Sequence, residues 1–238
     1  MRRFPLSFLL AALAACPLVT ASRAHAQTTP RTRDLLFGIG YLRGDARGAL
    51  AGALGDGQGA GGYLALPVGG TAWLALRLDI ALVAPDESVE QFPLVISGQP
   101  ATVRVNTTSN VASAFLGPQL QARLGPLRPY AFGSVGLSRF VYDLFATATL
   151  DDDSTRSAAI TTGATRLAAQ AGAGIRLPLV GRGGEVQLDA SAHLQRGAAV
   201  QVPLRSSLAA DENGELGAAT VRARLDYAVL RAGLAVKF

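Results

Sequence analysis

The chain has 238 residues, a formal net charge of +5, 49 % hydrophobic residues and one cysteine. With Cys16 as the only cysteine, an intramolecular disulfide is excluded. No stretch after residue 26 reaches 18 consecutive apolar residues, so the sequence predicts no transmembrane helix there.

The first 26 residues resemble an export signal. Arg2 and Arg3 precede an apolar run, and Ala24-His25-Ala26 fits the small-x-small rule for cleavage before Gln27. We therefore expect a cleaved signal peptide at 1–26 and one domain at 27–238. An alternative is a lipobox at Leu13-Ala14-Ala15-Cys16, in which Cys16 is acylated. Cleavage after Ala26 removes three arginines and lowers the charge to +2, so the basic pI is no argument for nucleic-acid binding.

Eight segments show apolar residues at every second position, which is typical of strands with one apolar face. They are 35–42, 59–68, 71–84, 109–124, 128–142, 162–178, 184–197 and 218–238. In the third, Leu74, Leu76, Leu78, Ile80 and Leu82 share one face. The last segment ends in Leu234, Val236 and Phe238. Since a tilted membrane strand needs about 9–11 residues, most segments are long enough to span a bilayer.

The connections alternate in length. Three are short and rich in proline and glycine, at 67–70, 125–128 and 178–184, whereas four are long and polar or glycine-rich, at 43–58, 85–108, 143–161 and 198–217. This layout is typical of an outer-membrane barrel with short periplasmic turns and long extracellular loops. An even number of strands returns both termini to the periplasmic side.

A barrel in lipid turns its apolar face outward, so we expect the opposite face to line the lumen. The residues predicted there are Arg77, Asp79, Gln119, Gln121, Arg139, Arg166, Gln170, Arg176, Glu185, Asp189 and Arg231. In a soluble lipocalin-like barrel the same residues would lie on the solvated surface. Aromatic residues near the segment ends suggest two interfacial girdles, with Trp73, Tyr130 and Phe238 on one side and Tyr41, Phe140, Tyr142 and Tyr227 on the other.

The terminal Val236-Lys237-Phe238, together with the stretches 115–120 and 126–130, resembles the small eight-stranded outer-membrane barrels that include the membrane domain of outer membrane protein A. The implied fold is all-β: an eight-stranded antiparallel up-and-down transmembrane β-barrel. The resemblance implies a monomer in the Gram-negative cell outer membrane, in contact with lipid and lipopolysaccharide. It also implies recognition of the C-terminal strand by the barrel-assembly machinery. Because the chain ends at Phe238, we expect no further domain.

Asp189, Ser191 and His193 contain the residue types of a hydrolase triad. On one strand, however, each step of two residues spans about 6.5 Å, which is too far for the hydrogen bonds that activate a nucleophile. We interpret them as a polar network in the lumen.

Three further motifs are weak. Gly57–Gly62 matches G-x-G-x-x-G but lies in a predicted loop with no helix after it, so no dinucleotide site is expected. The acidic groups 151–153 and 211–215 lack the spacing of a calcium loop and are interpreted as solvated loop tips. We predict no catalytic, cofactor-binding or metal-binding residue.

The functional hypothesis is a non-enzymatic membrane barrel with a structural or surface-interaction role through its four long loops. The alternatives are a small pore or apolar-ligand carrier of the outer membrane, and a soluble periplasmic barrel. An eight-stranded lumen is only wide enough for side chains to fill, which disfavours a pore.

Intact-mass measurement of the exported protein tests the processing. We expect a mature chain that begins at Gln27, because the cleavage motif follows the apolar run directly. A mass that corresponds to an acylated Cys16 at the N-terminus would contradict this assignment.

Overall fold

The computed structural model describes residues 35–48, 50–51, 55–85, 88–96, 99–150, 154–180, 186–204, 207, 209–210 and 216–238. The signal peptide predicted at 1–26 lies outside them. The strands are β1 (Leu36–Ala46), β2 (Asp56–Pro67), β3 (Leu74–Pro85), β4 (Ser88–Ile96), β5 (Gln99–Gln121), β6 (Arg128–Leu150), β7 (Thr155–Val180), β8 (Val186–Pro203), β9 (Ala209–Ala210), β10 (Leu216–Gly217) and β11 (Thr220–Lys237). No helix in these ranges is long and apolar enough to cross a membrane.

Eight strands form a closed antiparallel ring in the order β1-β2-β3-β5-β6-β7-β8-β11, because β3 pairs with β5 and β11 pairs with β1. Each overlaps one of the eight predicted segments, so the predicted fold class is confirmed. The ladder partners can be followed once around the ring, from Tyr130 back to the same strand at Phe140, ten residues further along. The path runs through Tyr130, Gly174, Ser191, Arg231, Leu42, Gly59, Val83, Val111 and Phe140. This stagger is the shear that tilts the strands by about 35–45°.

The short turns lie together at one end, here named the short-turn end. The connection from β5 to β6 is tight, since the backbones of Leu124 and Leu127 exchange hydrogen bonds of 2.8 and 3.1 Å. Gly125 has φ 61°, a value that favours glycine and suits the first central position of a two-residue hairpin turn. Gly69 and Gly70 also have positive φ in the turn between β2 and β3.

At the other end, here named the long-connection end, the prediction of long loops was wrong in large part. Within 85–108 lie β4 and the start of β5, which pair with each other. Within 143–161 the strands β6 and β7 continue and remain paired up to Thr149 and Thr155. Segment 198–217 includes the end of β8 and the two-stranded sheet of β9 and β10. The barrel therefore extends into a protruding sheet.

The outward face between the two ends is apolar on every strand of the ring. Its large exposed side chains include Phe37, Ile39, Leu64, Leu76, Ile80, Leu116, Val135, Leu137, Leu167, Leu188, Leu230 and Leu234. Leu78 points outward and is half-buried, whereas its neighbours Arg77 and Asp79 are buried inside, as predicted. We name this surface the apolar band. Its position outside the ring, with polar groups within, is the distribution of a membrane-spanning barrel.

The apolar band ends at a definite level towards the long-connection end. There the first polar residues appear on the outward faces: Arg43, Gln58, Asn110, Arg139, Thr165, Arg196 and Asp226. Ladder pairs join several of them, namely Arg43 with Gln58, Arg139 with Thr165, and Arg196 with Asp226. We name this set the polar edge.

Beyond the polar edge the interior is mainly apolar, with Thr107 and Ser109 as buried polar residues on β5. Val103, Val105, Phe140, Leu144 and Leu225 are at most 1 % exposed and belong to one hydrophobic cluster. The cluster joins the inner faces of β5 and β6 to those of β8 and β11. In the small sheet, β9 lies close to β4 and β10 lies close to β7. Above the Ala168–Gly197 pair, β7 no longer pairs with β8 in the described ladder.

Substitution of Ile80, which is 60 % exposed in the apolar band, tests which face meets lipid. Ile80→Arg should cost about 2–4 kcal/mol of unfolding free energy in lipid vesicles, because it places a charge near the middle of the bilayer. Urea unfolding in vesicles measures this.

Phe145→Arg is the matched control, since Phe145 is 52 % exposed and faces outward above the polar edge. It should change the unfolding free energy by less than about 0.5 kcal/mol. Equal costs at both positions would contradict the placement of the apolar band.

Candidate functional site: the polar lumen

Buried polar side chains fill the barrel from the short-turn end up to about the polar edge. They come from the inward faces of different strands: Arg77 and Asp79 on β3, Gln119 on β5, Tyr130 on β6, Arg176 on β7, Asp189 on β8 and Arg231 on β11. All are at most 6 % exposed. Because side chains alternate across a strand, residues two apart on each strand point to this one interior.

Arg77 lies at the centre of the lumen and is fully buried. Its Nε and Nη2 donate to the two carboxylate oxygens of Asp79, both at 2.7 Å, and Nη1 donates to Gln119 Oε1 at 2.7 Å. The guanidinium also stacks on aromatic rings, with Cζ 3.8 Å from the ring centroid of Tyr63 and 4.3 Å from that of Phe132. A forked ion pair with further hydrogen bonds is the geometry in which a buried charge is tolerated.

Arg231 connects this pair to the opposite wall. Its Nη1 lies 3.3 Å from Asp79 Oδ1, and its Nη2 lies 3.6 Å from Asp189 Oδ2 and 3.3 Å from the hydroxyl of Tyr130. That hydroxyl donates to Asp189 Oδ1 at 2.6 Å. One network therefore ties together β3, β6, β8 and β11 across the inside of the ring.

A second chain of contacts leads towards the short-turn end. Arg176 Nη2 donates to Gln121 Oε1, and Gln121 Nε2 donates to the backbone oxygen of Ala72 at 2.8 Å. Arg176 also stacks on Tyr130, with Cζ 4.8 Å from the ring centroid. These contacts link β7 to the turn before β3 and block the lumen with polar side chains.

The residues of the triad pattern do not assemble into a triad. Asp189, Ser191 and His193 all lie on the inward face of β8, and Asp189 binds Tyr130 and Arg231. Ser191 Oγ and His193 Nδ1 make no hydrogen bond within the described residues. The His193 ring makes an edge contact with Phe132, with centroids 5.8 Å apart. Asp189 is therefore part of the polar network of the lumen, whereas Ser191 and His193 only fill space there.

Two of the predicted lumen residues were placed wrongly. Arg139 shares the outward face of β6 with Val135 and Leu137 and is exposed. Arg166 has inward parity, but it lies at the part of β7 that β8 leaves unpaired; its side chain is exposed and its Nη1 lies 3.4 Å from the Thr165 backbone oxygen. Glu185 lies outside the described residues. The other predicted residues lie inside, with Gln121 only half-buried.

The two aromatic girdles were also wrong in part. Tyr41, Trp73 and Phe238 are exposed on the outside, and the Tyr41 hydroxyl donates to Gln58 at 2.9 Å at the polar edge. Tyr130, Phe140, Tyr142 and Tyr227 are instead buried in the interior. Tyr63 and Phe132, which the sequence interpretation did not single out, supply the rings that cover Arg77. Both residues follow the alternation that places Asp79 and Ser134 inward. That alternation was the sequence signal that could have identified them.

The remaining motifs are a glycine-rich segment and two acidic groups. Gly57–Gly62 lies within β2, not in a loop as predicted, and pairs with both β1 and β3. A Cβ at Gly59 would lie 1.9 Å from the backbone oxygen of Leu82, so close strand approach explains that glycine. The described residues contain no group of three His, Cys, Asp or Glu that could hold a metal ion. The acidic groups 151–153 and 211–215 lie outside them.

Neither a family model nor a curated protein matches the chain. Solved structures do match. The attachment invasion locus protein Ail of Yersinia pestis is 10 % identical, with a TM-score of 0.47, and covers 87 % of this chain and 99 % of its own. A major outer membrane protein from Thermus thermophilus is 13 % identical, with a TM-score of 0.49, and the match covers 86 % of this chain and 99 % of that protein. The outer membrane protein OprG from Pseudomonas aeruginosa is 12 % identical, with a TM-score of 0.47, and the match covers 87 % of this chain and 96 % of OprG. The second and third of these are outer-membrane proteins.

Removal of the central charge should destabilise the barrel. Arg77→Met leaves Asp79 with a weaker partner in a buried site, which should cost about 3–5 kcal/mol of unfolding free energy. The double variant Arg77→Met/Asp79→Leu should recover part of this loss, since no buried carboxylate then remains at that place. Urea unfolding in lipid vesicles measures both, and a double variant less stable than Arg77→Met alone would contradict the charge-pair explanation.

Proposed function

We propose that this protein is an integral outer-membrane barrel whose function is to hold the protruding sheet at the cell surface, where it contacts external partners. The observation that carries the proposal is strand length. Strands β5, β6 and β7 have 23, 23 and 26 residues, whereas crossing a membrane takes about 9–11. The excess on each strand lies above the polar edge, in the direction away from the short turns.

The outward face of the protruding sheet suits contact with a polar partner in water. Its residues form rows across β5, β6 and β7: Thr102 beside Thr149 and Thr155, Arg104 beside Thr147 and Ser157, and Thr108 beside Asp143 and Thr161. Thr161 donates to Asp143 at 2.7 Å. Phe145 lies within this polar face and is exposed. Polar rows around an exposed aromatic residue are common in interaction surfaces.

Catalysis and conduction are both disfavoured. The lumen below the polar edge is filled by hydrogen-bonded arginine, aspartate, glutamine and tyrosine side chains, and the interior above it is filled by packed apolar ones. A soluble barrel is disfavoured because the apolar band would face water. We further propose that the protein is a monomer in contact with lipid and lipopolysaccharide, with both termini periplasmic and with the barrel-assembly machinery as its partner in biogenesis.

Cysteine labelling of intact cells tests the orientation, because residues 27–238 contain no cysteine. Thr147→Cys on the protruding sheet should react with a membrane-impermeant maleimide in intact cells. Thr71→Cys in a short turn is the control and should react only after the outer membrane is permeabilised. The reverse pattern would place the sheet in the periplasm, and recovery of unlabelled protein in the soluble periplasm would refute the membrane assignment.

Planar-bilayer recording tests the pore alternative. The purified protein should give no discrete channels, since the Arg77 network and the apolar cluster block the lumen in series. Discrete channels in the wild-type protein whose conductance changes in a folded Arg77→Lys variant would refute a sealed lumen, because only current through the lumen responds to that substitution.

A further inference from the structure

A groove of about 570 Å³ lies on the outside of the barrel and extends along the apolar band from Phe37, near the short-turn end, to Arg139 at the polar edge. Its lining includes Phe37 and Ile39 on β1, Ile80 and Leu82 on β3, and Leu137 on β6, all with outward side chains. A groove of this size is in the range of small-molecule and lipid sites, although the convex wall of a barrel ordinarily offers none.

The groove exists because two strands carry only small residues on the outside at this height. On β2 these are Ala60 and Gly62, and on β5 they are Ala112 and Ala114. Ile80 and Leu82 on β3 lie between these two strips of small residues. The strip on β5 lies between β3 and β6, with Leu137 on its β6 side. The lining is thus apolar for most of its length, as an acyl chain requires.

One end of the groove is cationic. Arg139 and Thr165, which pair across β6 and β7, line the groove where it reaches the polar edge. Arg139 is exposed and forms no ion pair with a carboxylate in the described part of the chain. Arg166 follows Thr165 in the chain and is exposed, but its parity on β7 is inward, opposite to that of Thr165. Asp143 lies four residues further along the same face of β6 and accepts a hydrogen bond from the hydroxyl of Thr161.

We propose that this groove binds one phosphorylated lipid of the outer leaflet, with an acyl chain along Ala112 and Ala114 and a phosphate on Arg139. The proposal rests on the proposed function, which places the polar edge at the headgroup level of that leaflet. Charge complementarity selects the occupant, because an exposed guanidinium binds a phosphate through paired, charge-assisted hydrogen bonds. The Thr165 hydroxyl is a further donor at the same end.

Native mass spectrometry of the purified mature protein tests the site, with diphosphorylated lipid A, its dephosphorylated form and inorganic phosphate as probes. We expect a one-to-one complex with the phosphorylated lipid. Arg139→Gln should weaken it about tenfold, as loss of one charged contact does, and should leave binding of the dephosphorylated lipid unchanged. Ala114→Leu fills the groove and should weaken binding of both lipids.

Two controls match these changes. Arg196→Gln removes an arginine of the polar edge on β8, outside the groove, and Ala190→Leu enlarges an outward alanine of β8. Neither should alter the complex. Circular dichroism and the gel mobility of the unheated protein establish that each variant is folded.

Three results would overturn the proposal: equal weakening by Arg196→Gln and Arg139→Gln, an unchanged complex in folded Ala114→Leu, or displacement of the lipid by inorganic phosphate alone. Failure of the groove and failure of the proposed function are distinguishable. If the protein inserts into phosphatidylethanolamine vesicles but forms no specific complex, only the groove assignment fails, whereas loss of insertion itself removes the membrane assignment.

Discussion

Satisfaction of backbone hydrogen bonds is the constraint on which this structure depends. In hydrocarbon no water can pair with a free N–H or C=O, so every strand needs a partner on both edges. The ring meets this condition over the height of the apolar band. The pairing of β7 with β8 ends at Ala168 and Gly197, and that of β1 with β11 ends at Ala46 and Tyr227. Both of these pairings end at the polar edge, close to Arg196 and Asp226. Strand edges are therefore left open only where water or other side chains can satisfy them.

Closure with a stagger of ten residues leaves an interior that side chains must fill, and the lower half is filled with charge. Arg77 is tolerated there because Asp79, Gln119 and the rings of Tyr63 and Phe132 surround its guanidinium. A buried ion pair contributes little net stability compared with apolar packing. What it contributes is a fixed arrangement, since Arg231 reaches Asp79 and Asp189 only when β3, β8 and β11 hold this register.

Much of the ring could be predicted from sequence, and the errors have one physical cause. Alternation shows which residues share a face, and in the apolar band it also shows which face is outside. On β5 the apolar residues Ala114, Leu116 and Leu120 face outward, but Val103 and Val105 further up face inward. Where the strand leaves the apolar band, the alternation of apolar and polar residues shifts by one residue. The upper part of the strand therefore does not continue the alternation of the lower part, and it was interpreted as a loop. The same shift explains Arg139, which was assigned to the lumen because it is charged, and Phe140 and Tyr142, which were assigned to the lipid interface because they are aromatic.

Because of this shift, the lower part of each long strand is suited to lipid and the upper part is suited to water. Below the polar edge the apolar side chains face lipid and the polar ones are buried, whereas above it the apolar side chains of β5, β6, β8 and β11 pack against one another as in a water-soluble protein. The upper part gains burial free energy of about 25 cal/mol per Å² of apolar surface removed from water, and the lower part avoids exposure of its apolar surface only if lipid surrounds it. The same strands run through both parts. The register set by the closed ring in the membrane therefore also positions the apolar core outside the membrane. The protruding sheet is consequently held at a fixed height and orientation relative to the apolar band.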